Sequence, residues 1–130
     1  MNEIYEFLKK CGTYYLATVD GDRPRVRPFG TIDIFEGKLT IQTGKAKAVS
    51  RQIHANPHIE ICAFNNGVWI RVEAVAEEVP EIAAQEQMLN AYPELRAMYC
   101  PGDGNTEIFA LKSGRAVISS FGVAPKTVVF

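Results

Sequence analysis

Arginines occupy positions 23, 25 and 27, alternating with Pro24 and Val26. On an extended chain a period of two puts all three guanidinium groups on one face. Further on, Thr43-Gly44-Lys45-Ala46-Lys47 falls where a strand pattern gives way to a helix pattern. The first turn of such a helix has backbone N–H groups without intrahelical partners, and these favour an anion. Gly44 permits close approach, Thr43 offers a hydroxyl, and Lys45 and Lys47 offer charge. Lysine at a helix start is slightly unfavourable unless an anion is present. An arginine fork matches phosphate with paired hydrogen bonds, and lysine adds a mobile point charge. Together these residues make a candidate phosphate clamp using Arg25 or Arg27 with Lys47. It is not a nucleotide P-loop, because GxxxxGK[ST] is absent. The competing reading is a solvated basic face.

The clamp needs a strand carrying the arginines to lie near the strand–helix corner. Ile4, Phe7, Leu8 and Cys11 repeat at helical spacing and predict a short opening helix stopped by Gly12. Thr13–Val19 reads as a strand, Asp20-Gly21-Asp22 as a turn, and Arg23–Phe35 as a returning strand. Pro24 and Pro28 cannot donate to a ladder, so that strand is expected at an edge or bulged where they fall. Lys38–Thr43 follows the Glu36-Gly37 turn. Ala46–Ala55 is helical and ends at Asn56-Pro57. His58–Asn65 and Val68–Val79 form a hairpin about Asn66-Gly67. Glu81–Asn90 and Pro93–Met98 look helical, and Thr106–Lys112 with Arg115–Phe121 predict a last hairpin turning at Ser113-Gly114. Six or seven antiparallel strands with three helices in so short a chain favour a small barrel. The expectation is one domain over residues 1–130.

Net charge is −1, which argues against a general nucleic-acid or membrane partner. The charge is unevenly spread: residues 23–51 are basic and residues 73–107 acidic. No RNP-like or GxxG signature supports RNA binding. The three cysteines, Cys11, Cys62 and Cys100, form no CxxC pair, so a reducing, cytoplasmic setting is expected. The opening residues have neither the basic head nor the apolar run of a signal peptide. His54 and His58 flank the helix-breaking Pro57, and no nearby carboxylates join them, so no metal site is expected. Cys62 is expected in the core, and Tyr14 and Tyr15 must point to opposite sides of their strand.

The run Arg25-Val-Arg-Pro-Phe-Gly, the strand Leu39-Thr-Ile-Gln-Thr-Gly, Lys47, Gln52 and Asn56-Pro57 resemble the flavin-binding split barrels related to pyridoxamine 5'-phosphate oxidase. The His58–Phe64 and Val68–Val79 strands continue the likeness. The resemblance implies a mainly β fold with helices, an antiparallel split β-barrel, forming a homodimer with FMN at the subunit interface. By analogy Arg25 or Arg27 and Lys47 hold the FMN phosphate, with Thr43 and Lys45 beside them. Arg27, Pro28 and Phe29 run along the isoalloxazine ring, and Gln52 approaches the cofactor. Trp69 and Arg71 approach the same site or the partner's. The implied activity is an FMN-dependent oxidoreductase or flavin reductase acting on a small molecule. The alternative is a non-catalytic flavin- or haem-binding carrier or sensor. The family's oxidase recognises its vitamin substrate with a C-terminal arginine and histidine, whereas residues 113–130 here contain Arg115 and no histidine. Vitamin B6 oxidation is therefore not the expected reaction.

Overall fold

The computed structural model describes residues 1–130. Helix α1 (Asn2–Cys11) buries Ile4 and Leu8 and stops at Gly12, whose φ of 75° suits glycine. Strands β1 (Tyr14–Asp20) and β2 (Arg23–Phe29) form a hairpin, followed by β3 (Asp33–Phe35) and β4 (Lys38–Gly44). Helix α2 (Ala48–Ala55) leads into the β5 (His58–Asn65) and β6 (Val68–Val79) hairpin. Helix α3 (Ile82–Ala91) and a 3₁₀ helix (Pro93–Ala97) precede β7 (Thr106–Ser120) and β8 (Val123–Val129). No helix is long and apolar enough to cross a membrane.

The sheet order is β2-β1-β5-β6-β7-β4-β3, with β8 also paired to β7, and every pairing is antiparallel. The long strand β7 makes the split. Its first half pairs with β4 through Leu111, and its second half pairs with β8 from Arg115 onward. Between them the register against β6 shifts from Glu73↔Arg115 to Val75↔Lys112, and Ser113 takes a φ of 51°. A bulge of this kind bends a strand and sharpens its twist. The inward alternation of Leu16, Ile41, Ile61, Ile70, Val72 and Phe109 supplies one continuous apolar core.

Two expected elements differ. Ser113-Gly114 is this bulge inside one continuous strand, and the last turn is at Phe121-Gly122 instead. Both a turn and a bulge need an unusual φ, so the residue types are alike and only the pairing partner decides. The expected Arg23–Phe35 strand is two strands separated by Gly30, Thr31 and Ile32. Only β3 lies beside β4, while β2 pairs with β1 at the other edge of the sheet. Cys62 is exposed, because β5 turns Ile61 and Ala63 inward and Cys62 out. Tyr14 is buried and Tyr15 is 52% exposed, as alternation requires.

The C-terminus is pinned where Gly114 and Phe130 exchange backbone hydrogen bonds of 2.9 and 3.0 Å. A Cβ on Gly114 would overlap the Phe130 ring. Gly114→Ala is therefore expected to lower stability by about 1–3 kcal/mol, the usual cost of forced overpacking. Thermal unfolding checks this, and an unchanged melting temperature would contradict the seating of Phe130.

Candidate functional site

Helix α2 packs against β1 on one side and β4 on the other. It therefore ties the arginine edge of the sheet to the strand–helix corner. Val49 and Ile53 face the core, and the buried polar residues Ser50 and Gln52 lie beside them. From α2, Gln52 reaches the arginine strand: Arg27 Nη2 donates to Gln52 Oε1 at 2.7 Å. Arg27 Nη1 donates to Thr18 Oγ1 at 2.9 Å and to the Leu16 carbonyl at 3.1 Å. The Thr18 hydroxyl in turn donates to Gln52 Oε1 at 2.6 Å.

This network aims Arg27 without neutralising it. All its acceptors are uncharged, and Arg27 makes no salt bridge. Partial burial pulls its pKa below the ordinary arginine range, by desolvation of the cation. A guanidinium has five N–H donors, and those not spent on Leu16, Thr18 and Gln52 remain for a ligand. A partly desolvated cation with no acidic partner is costly unless an anion joins it. Lys47, the N-cap residue of α2, likewise makes no salt bridge, and no side chain caps the helix start.

Arg27 and Lys47 line one cavity of about 270 Å³ together with Pro28, Phe29, Thr43 and Gln42. Thr31 also lines it, and its carbonyl accepts from the buried Tyr14 hydroxyl at 2.6 Å. Burial raises the Tyr14 pKa well above the usual phenol value, so the hydroxyl stays protonated as a donor. The opposite wall comes from the segment after α3, through Tyr92, Glu94, Leu95, Met98 and Tyr99. The Tyr92 hydroxyl bonds both the N–H and the carbonyl of Ile32 at 3.1 Å. Gly44 admits Tyr99, since a Cβ there would lie 2.9 Å from the phenolic oxygen. The close approach expected at Gly44 is thus made by Tyr99.

Other expected site residues lie elsewhere. Arg25 is exposed and its Nε meets Asp20 at 3.4 Å, outside the cavity lining. Lys45 turns away to Glu78 at 3.4 Å, because the chain there is held by Asn105, which bonds the N–H groups of Lys45 and Ala46. Trp69 and Arg71 are on the outer face of the sheet. Trp69 packs on Phe121 with ring centroids 5.3 Å apart, and Arg71 forks onto Glu60 at 2.7 and 2.9 Å. Gln52 stands behind Arg27 and does not line the cavity. The 92–99 wall was not anticipated. Its only signal in the chain is the cluster Tyr92, Met98 and Tyr99, whose contacts depend on long-range packing.

The fold and site define a split barrel with a cavity carrying Arg27 and Lys47 between the end of β2 and the β4–α2 corner. The chain belongs to the pyridoxamine 5'-phosphate oxidase family, whose model matches residues 1–118. It is similar to a NimC/NimA family protein from Clostridium acetobutylicum, with 37% identity and a TM-score of 0.96, covering 100% of this chain and 92% of that one. More distant structures share the fold. A FAD-binding protein from Mesorhizobium loti has 14% identity and a TM-score of 0.64, covering 92% of this chain and 94% of that one. A haem storage protein from Vibrio cholerae has 20% identity and a TM-score of 0.60, covering 85% of this chain and 87% of that one. No curated protein matches the sequence.

Proposed function

We propose that this protein binds FMN and is an FMN-dependent oxidoreductase or flavin reductase acting on a small molecule. The observation that carries this reading is Arg27, aimed by Thr18 and Gln52 but left without a counter-ion beside Lys47. Those residues fit the phosphate end of a flavin mononucleotide: a fork, a point charge and an uncapped helix start. Arg27 and Lys47 would hold the phosphate, Thr43 would add a hydroxyl, and Pro28 and Phe29 would flank the ring. A bound flavin supplies the redox chemistry itself. The chain supplies charge, orientation and shielding, and Tyr99, Leu95 and Met98 cover the cavity from the far wall. No side chain need take up a proton for hydride transfer.

In our reading the working unit is a homodimer. The 270 Å³ cavity is smaller than most cofactor pockets. Pro28 belongs to its lining and pairs in register with Tyr15 on the outer sheet face. That face also exposes the apolar side chains of Val26, Phe64 and Phe121. A second copy seated there would complete the cavity and bring Trp69 and Arg71 to the partner's site. The flavin reading is tested by titrating cofactor-free protein with FMN, riboflavin and haem, following flavin fluorescence and the haem absorption band. Saturable FMN binding much tighter than riboflavin binding is expected. Haem binding without FMN binding would overturn the proposal in favour of a haem carrier.

A further inference from the structure

Outside the cavity, α2 carries a second polar set on the side facing β6 and β7. His54 Nε2 lies 2.6 Å from Glu107 Oε2 and 3.9 Å from Glu78 Oε1. The ligand-capable atoms of all three residues fall within 4.8 Å of one another. We propose that His54, Glu78 and Glu107 form a binding site for a divalent transition-metal ion, with zinc as the probe. This assignment is independent of the flavin reading.

The geometry is close to what such an ion needs. Zinc bonds nitrogen and oxygen at roughly 2.0–2.2 Å, so tetrahedral ligand atoms stand about 3.3 Å apart. The observed separations of 2.6 and 3.9 Å bracket that spacing, and side-chain adjustments of under about 1 Å would satisfy it. The three ligands come from three elements, α2, the end of β6 and the start of β7, so the fold sets their spacing.

One ligand is already organised. The Glu107 side chain is 0% exposed, and its Oε1 accepts from Ser50 Oγ at 2.5 Å. That bond fixes the carboxylate and leaves Oε2 facing His54, the kind of outer support that metal-bound carboxylates use. The Phe109 ring, 5.4 Å from the His54 ring, limits how the imidazole can turn. His54 and Glu78 are partly exposed at 48% and 31%, which leaves an entry path and room for water ligands.

Charge points the same way. With His54 neutral, the cluster holds two carboxylates against one ammonium, Lys45, which reaches only the outer oxygen of Glu78 at 3.4 Å. A dication would balance both carboxylates, including the buried one that water cannot solvate. On binding, the neutral imidazole exchanges its one N–H proton from Nε2 to Nδ1 through solvent, so that the Nε2 lone pair and the Glu107 Oε2 oxygen are free to bond the metal. One imidazole and two carboxylates without thiolate suit zinc, manganese or iron(II) rather than a soft ion.

The test is calorimetric zinc titration of the full chain carrying Cys62→Ser and Cys100→Ser, which removes the exposed thiols as rival ligands. One zinc per chain is expected, with affinity falling at acid pH as protons compete. His54→Gln and Glu78→Gln should each weaken binding by about tenfold or more. Lys45→Ala should tighten it by removing the competing cation. Glu78 is the partly exposed ligand, so Glu78→Gln keeps the test usable should His54→Gln disturb the helix. No binding by the starting protein, equal binding by Glu78→Gln, or no gain from Lys45→Ala would each overturn the assignment.

Discussion

Replacing Arg27 and Lys47 together by alanine is expected to weaken FMN binding by roughly 10²–10⁴-fold. Each hydrogen bond to a charged group contributes about 1.5–3 kcal/mol, and tenfold in affinity corresponds to about 1.4 kcal/mol. The fold should survive. Thr18 keeps its bond to Gln52 without the guanidinium, and neither basic side chain belongs to the apolar core. The informative control is riboflavin, which has the ring but no phosphate. Its affinity should change far less than that of FMN. Equal losses for both ligands would mean that these residues support the ring or the fold and not the phosphate.

Phe64→Glu is expected to separate the proposed dimer and to reduce FMN retention with it. Phe64 is 67% exposed in the single chain, on the face that also carries Trp69 through the Phe64↔Trp69 pair. A carboxylate there costs an isolated chain little, but in an apolar interface it is buried without a partner. Light scattering should show the mass falling from twice the 14.4 kDa chain to the chain itself. Cofactor affinity should fall because a ligand held between subunits stabilises only the associated state. A starting protein of 14.4 kDa that binds FMN tightly would contradict the interface placement.

Much of the candidate site is legible in short-range pattern. The period-two arginines and the Thr43–Lys47 corner each signal an anion from their own types and spacing. Choosing Arg27 over Arg25 is not legible, because both occupy one face of β2. The choice depends on Gln52 reaching Arg27 from α2, while Asp20 at the hairpin takes Arg25. Lys45 is lost to the corner for a similar reason. Asn105, distant in sequence, pins the backbone so that Lys45 faces Glu78.

The groupings that the sequence does not display share this cause. Joining His54 to Glu78 and Glu107 takes three elements that only the barrel brings together, whereas the visible neighbour His58 is exposed on another strand. The Tyr92–Tyr99 wall is likewise a product of packing. Ser113-Gly114 is ambiguous in principle, since a bulge and a turn use the same residues. Alternation, turn chemistry and the helix-ending Asn56-Pro57 depend on adjacent residues, and those elements match the expectation closely.

In the proposed complex a phosphate is held between Arg27 and Lys47 at the start of α2. A crystal structure of the protein grown with FMN tests it most directly. The phosphate is predicted within hydrogen-bond reach of the Arg27 guanidinium and the Lys47 ammonium, with Phe29 beside the ring. A phosphate bound elsewhere, with Arg27 still facing no anion, would contradict it.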